Sequence, residues 1–174
     1  MKDDFVKPIV VLALICLVVS GALAFTNSVT EPVIAEAAAI RTETAMFEII
    51  PQATGFELVS AEGLPETVKE VHRSINDVGY IFIVSTDGFG GEIKMICGVA
   101  PDGALLRCTT LEHSETKGLG AKITERQFED QFMGVDHRLH GVDAISGATI
   151  SSSAYIAAVQ DALQAFNELR VERR

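Results

Sequence analysis

The chain contains no tryptophan, only two tyrosines and only three cysteines among its 174 residues. Without Trp, a core has to be built from phenylalanine and aliphatic side chains. Cys16, Cys97 and Cys108 form no C-x-x-C, which excludes a zinc ribbon, a haem attachment and a dithiol redox motif. Basic residues are also scarce, with 14 Lys and Arg against 24 Asp and Glu, for a formal charge of −10. Such a balance argues against nucleic acid as a partner and against docking on anionic lipid heads. No G-x-G-x-x-G follows a strand pattern, so the dinucleotide-binding fingerprint is missing too.

What is present begins with an uncharged run from Pro8 to Phe25. It is about as long as a helix needs to span a bilayer. Ala22-Leu23-Ala24 resembles a signal-peptidase site. Against cleavage, Asp3 and Asp4 offset Lys2 and Lys7, and the run is long for the apolar h-region of a signal peptide. The expectation is therefore a retained anchor. Lys2, Lys7 and the N-terminal amine precede the span, and the next basic residue is Arg41, so the positive-inside rule leaves the N-terminus cytoplasmic. The whole net charge then lies beyond the span, on roughly 140 residues, enough for one domain with a single core.

Thr30-Glu31-Pro32 reads as a helix start, and Val33 to Ile50 as an Ala-rich stalk helix ended by Pro51. The middle reads as β structure. Weaker strands are expected at Gly55–Ala61 and Val68–Ser74, and a buried strand at Val78–Ser85. A hairpin is expected from Glu92–Ala100 and Ala104–Leu111. A two-residue turn at Asp102-Gly103 sets Cys97 opposite Cys108. A three-residue loop led by Pro101 suits the residues better but places the two cysteines on opposite faces. The register stays open, with two free thiols expected. Gly88-Phe89-Gly90-Gly91 reads as a turn, the alternative being a glycine passage where a ligand approaches.

A helix is expected from Glu125 to Met133, with Thr124 and Gln127 as a capping box and Ile123 with Phe128 as a hydrophobic staple. A last helix is expected from Ile150 to Leu169, apolar at Ile156, Val159, Leu163 and Phe166, with Arg170, Arg173 and Arg174 at its end. His137 and His140 beside Asp136 and Asp143 lack metal-ligand spacing and read as loop histidines, so no metal site is expected.

Two segments carry chemistry. The first runs Asp143-Ala144-Ile145-Ser146-Gly147-Ala148-Thr149-Ile150-Ser151-Ser152 at the start of the last helix. A helix N-terminus presents free amides and a positive dipole end, which favour a phosphate, and a phosphate held there is within reach of the Thr149 hydroxyl. The plain alternative is a helix cap. The second is His113-Ser114-Glu115-Thr116-Lys117-Gly118-Leu119-Gly120-Ala121-Lys122-Ile123. Its glycines let the backbone turn sharply and approach a flat ring.

The first segment resembles D-x-x-[ST]-G-A-T, the flavinylation sequence of proteins that carry FMN on a threonine phosphoester. The second resembles their flavin-side loop H-x-E-T-P-G-L-G, with Lys117 in place of Pro. Both are found in order in the G subunit of Rnf complexes and the C subunit of sodium-translocating NADH:quinone reductases. This resemblance implies an α+β fold, a single transmembrane helix followed by one FMN-binding domain with a mostly antiparallel sheet and flanking helices. It divides the chain into a cytoplasmic 1–7, an anchor 8–25, a stalk and linker 26–52, and an FMN domain 53–174 on the outer side.

The same resemblance implies covalent FMN on Thr149, with Ser146, Gly147, Ala148, His113, Glu115, Thr116, Gly118, Leu119 and Gly120 around it. Asp143 is then a recognition feature for a separate flavin transferase. No residue is implied to be catalytic. The function implied is electron transfer in a membrane complex that couples ferredoxin and NAD to ion translocation, among other subunits. The alternatives are a free-standing flavin carrier and a non-redox assembly or adhesion module.

Overall fold

The computed structural model describes residues 2–60, 63–135 and 139–172. The chain divides into two compact units, Met1–Arg41 and Thr42–Arg174. Arg173, Arg174, His137 and Asp136 lie outside the described residues.

The first unit is helical. Helix α1 (Lys2–Ile49) is unbroken, with Pro8 and Pro32 inside it, so Thr30-Glu31-Pro32 starts no new helix. In the polar stretch ahead of Pro32 the hydroxyls bond back along the helix instead of capping a new one. Thr26 Oγ1 donates to the Ala22 carbonyl (2.9 Å), Ser28 Oγ to Phe25 (2.8 Å) and Thr30 Oγ1 to Thr26 (3.0 Å). Apolar side chains such as Leu12, Leu17 and Phe25 are exposed. This helix is long and apolar enough to cross a membrane.

In the second unit, five strands form one antiparallel meander in the order β1-β2-β3-β4-β5. They are β1 (Phe56–Val59), β2 (Val68–Ser74), β3 (Tyr80–Asp87), β4 (Glu92–Val99) and β5 (Leu105–His113). Both faces are covered, which explains why β3 reads as an unbroken apolar run rather than an alternation. Ile81, Ile83 and Ile96 pack on Ala45, Met46, Ile49 and Ile50. On the opposite face Phe82, Val84, Met95 and Cys97 pack against helix α3 (Thr149–Glu172) through Tyr155, Val159 and Leu163. In place of Trp, the fully buried Tyr155 stands against Phe128 and Phe132, each ring centroid 5.3 Å away.

The β4–β5 hairpin resolves both readings of its register. The loop has three residues, closed by Ala100 N–H to the Ala104 carbonyl at 2.8 Å, with Gly103 at φ +98°. Yet Cys97 pairs with Cys108. The link is a β-bulge: Gly98 pairs with Arg107 and Val99 with Leu105, so Leu106 is the extra residue and the register shifts by one. A second shift, between Lys94 and Met95, sets Leu111 in the same position. Both leucines pack on the Ile81–Ile83–Ile96 side of the sheet. The two cysteines are free and buried.

The expected helix from Glu125 to Met133 is broken into pieces. A 3-10 turn (Gly120–Thr124), a short helix α2 (Arg126–Glu129) and a second 3-10 turn (Asp130–Phe132) follow one another. The capping box fails because Thr124 ends the first turn and its hydroxyl donates to the Ala121 carbonyl at 2.9 Å. Glu125 takes the cap position with no side-chain bond. Phe128 and Phe132 are nevertheless buried.

Candidate functional site

The turn in front of α3 is built for an exposed hydroxyl. Ala148 N–H donates to the Ile145 carbonyl at 3.0 Å, closing a turn over Ser146-Gly147. Gly147 has φ +81°, the value that the third residue of a type II turn requires. Ser152 fastens this turn from behind. Its Oγ accepts from Ile145 N–H at 3.0 Å and donates to the Ala148 carbonyl at 2.9 Å. Ser152 N–H donates to that same carbonyl. The amides of Thr149, Ile150 and Ser151 therefore lie ahead of the first helical bond. Thr149 and Ser146 are exposed, whereas Ala148 is buried.

A second turn of the same type follows β5. Leu119 N–H donates to the Thr116 carbonyl at 3.2 Å, and Ala121 N–H to the same oxygen at 3.1 Å. Gly118 has φ +78°. Lys117 occupies the second position of this turn, where Pro is favoured but is not required. The turn forms without it.

Glu115 joins these parts. Its side chain is buried. Oε1 accepts from Gly90 N–H at 3.1 Å, and Oε2 accepts from the Ser151 hydroxyl at 2.8 Å. The Glu115 amide donates to His113 Nδ1 at 3.1 Å, which leaves the imidazole proton, when the ring is neutral, on Nε2.

These segments enclose a cleft of about 470 Å³, lined by Phe89, Glu115, Thr116, Leu119, Gly120 and residues 147–151. That volume falls in the range of small-molecule sites. Two ends differ in character. Phe89, 73% exposed, together with Leu119 and Ile150, offers apolar surface. Gly147, Ala148 and Thr149 bring a helix start. A flat aromatic ring system that carries a phosphate tail fits both ends.

Of the residues singled out from sequence, Glu115, Thr116, Leu119, Gly120, Gly147, Ala148 and Thr149 line the cleft. His113, Gly118 and Ser146 do not line it; they shape the turns that do. Asp143 lines a separate groove with Lys122, Glu125 and Gln131, and its amide donates to Gln131 Oε1 at 2.9 Å. Sequence reasoning missed Phe89, Ile150, Ser151 and Ser152. The signal for Phe89 was the segment Gly88-Phe89-Gly90-Gly91, whose alternative reading was a passage where a ligand approaches. That segment is a turn, closed by Gly88 N–H to the Gly91 carbonyl at 2.8 Å, and it is also a wall of the cleft. Among the described residues no His, Cys, Asp and Glu group is placed to hold a metal ion.

Outside the cleft, Glu129 is held by Thr110 N–H at 2.8 Å and Thr109 Oγ1 at 3.0 Å. Burial pushes its carboxyl above the ordinary value despite those bonds. Burial foremost, and then the neighbouring Cys97 thiol, pushes Cys108 well up.

Residues 88–164 match the FMN-binding domain family, an interval that contains every residue lining the cleft. The fold and cleft thus define an FMN-binding domain that follows a helix able to anchor in a membrane. The G subunit of the ion-translocating oxidoreductase complex of Methanosarcina acetivorans is 37% identical, across 93% of this chain and 94% of its own. The G subunit of the Na(+)-translocating ferredoxin:NAD(+) oxidoreductase complex of Acetobacterium woodii is 30% identical, across 91% and 90%. The chain belongs to the family of G subunits of ion-translocating (Rnf) oxidoreductase complexes. The crystal structure of Shewanella oneidensis NqrC shares the fold, with a TM-score of 0.50 and 22% identity over 59% of this chain and 61% of that one.

Proposed function

We propose that this chain is the electron-carrying G subunit of a membrane complex, with FMN in the cleft esterified through its phosphate to Thr149. One observation carries this reading: two segments distant in sequence, Glu115–Gly120 and Gly147–Ser151, meet in one cleft with an exposed threonine at the first residue of a 24-residue helix. FMN supplies electron-transfer chemistry when bound; the protein supplies position and polarity. The amides at the start of α3 suit the phosphate, and Phe89, Leu119 and Ile150 suit the ring.

Thr149 does not load itself. A hydroxyl is a weak nucleophile without a base, and the cleft's carboxylate, Glu115, already accepts from Gly90 and Ser151. A separate flavin transferase delivers the FMN, and Asp143, exposed and with its backbone fixed by Gln131, is a recognition feature for it. Residues 8–25 cross the membrane with 1–7 in the cytoplasm, 26–52 serve as stalk and linker, and 53–174 carry the flavin on the outer side. Tethering keeps the carrier near its partner subunits at high effective concentration. The complex couples electron transfer between ferredoxin and NAD to ion translocation, the activity for which the Acetobacterium woodii complex is named.

The test is flavin fluorescence in a denaturing gel, for wild type and Thr149→Ala, each co-expressed with a flavin transferase. A fluorescent wild-type band and a dark variant band are expected. Two dark bands from folded protein overturn the reading. They leave an assembly module in which Thr149 is simply the exposed first residue of α3, the cap position being held by Ala148.

A further inference from the structure

Glu115 is a buried carboxylate with an unusual number of duties. Its two oxygens bind the β3–β4 turn through Gly90 and the first turn of α3 through Ser151, 25 and 36 residues away in sequence. Its backbone amide is held by His113. A Cβ on Gly88 would collide with Oε1, and one on Gly120 would collide with Oε2. Those two glycines are therefore the space in which the carboxylate sits. The segments it joins are the ones that supply Phe89, Leu119, Gly120 and Ile150 to the cleft. Among the described residues, no cationic side chain forms an ion pair with it.

We infer that Glu115 is a positioning residue that clamps the cleft walls and sets a carboxylate without an ion-pair partner beside the cofactor, holding the flavin's reduction potential low. The inference rests on the FMN reading above. A flavin gains electrons on reduction, so a fixed negative charge in a water-poor wall opposes that step. The clamp itself acts whether or not FMN is present. A carboxylate that accepts from N–H and O–H donors makes stronger bonds than a neutral acceptor.

The experiment uses the full chain, with and without a co-expressed flavin transferase. Glu115→Gln keeps the side-chain shape and removes the charge. With flavin bound, its midpoint potential, read from visible absorbance during electrochemical titration, is expected to move positive. An unchanged potential overturns the charge role. In flavin-free protein, Ser151→Ala and Gly120→Ala disturb the seat of the carboxylate without removing it. Both are expected to speed hydrogen exchange at the Gly90 amide by about tenfold or more, because a carboxylate displaced from its seat no longer accepts from that amide. Unchanged exchange overturns the clamp, and this arm decides the matter if Glu115→Gln does not fold. A wild-type protein that never binds flavin defeats the FMN reading and the charge role with it, while the Gly90 exchange still decides the clamp.

Discussion

The hydroxyl of Ser152 accepts the amide hydrogen of Ile145 at 3.0 Å, so the turn that presents Thr149 is fastened by a side chain three residues beyond it. The same hydroxyl donates to Ala148, and Ser152 is fully buried. Ser152→Ala leaves the Ile145 amide without its acceptor and is expected to lower stability by about 1–3 kcal/mol. Urea unfolding of the full-length protein in detergent measures this. A loss below about 0.5 kcal/mol would mean the turn holds by its backbone alone.

Lys117 stands at the second position of a type II turn whose glycine follows it. Proline there restricts the unfolded chain without straining the folded one. Lys117→Pro is therefore expected to stabilise by about 0.4–1 kcal/mol, seen as a rise in Tm. A fall would show that the Lys117 backbone departs from the angle proline imposes.

Phe89 is exposed and lines the cleft. Phe89→Ala is expected to change stability by no more than about 0.5 kcal/mol. In the loaded protein it should shift the flavin's visible absorption bands, because removing an apolar aromatic face opens the ring to water. An unaltered spectrum would place Phe89 away from the flavin.

Glu129 holds its proton to higher pH in the folded chain than in the unfolded one, chiefly through burial. The native state then binds more protons, so the associated stability is complete below the ordinary carboxylate range and is lost as pH rises through the folded value. Glu129→Gln removes this component. Wild type should lose stability relative to the variant as pH climbs above about 4.5, and parallel curves would refute the assignment.

Cys97 and Cys108 are buried, and Cys108 is held protonated by that burial. A thiol in such a setting is inert. Alkylation of the folded protein at pH 8 should spare both, and urea without reductant should expose both to labelling. Failure to label in urea would reveal a disulfide.

Local features were the legible ones. The D-x-x-S-G-A-T segment lies before a helix as its residues imply, and Gly147 and Gly118 adopt the left-handed angles that turns demand. The strands fall close to where apolar runs placed them. Non-local features were hidden. Glu115 was visible as a site residue, but the bonds that define its role reach Gly90 and Ser151 across the fold. The capping box at Thr124 matched a pattern, yet a preceding 3-10 turn had already engaged the hydroxyl. The Leu106 bulge was invisible because it depends on which leucines the far face of the sheet accepts, not on the loop between the strands. Phe89 was passed over because a glycine-rich turn explains itself without a ligand.

The meander has a consequence for timing. Each strand pairs with its sequence neighbour, so the sheet can assemble as the polypeptide emerges. The cleft cannot, because Ser151 must arrive to meet Glu115, and α3 must extend through Leu163 to bury itself on the sheet. If Thr149 is the attachment point proposed above, its surroundings are complete only once α3 has docked, so a chain arrested with the sheet alone is expected to stay unmodified.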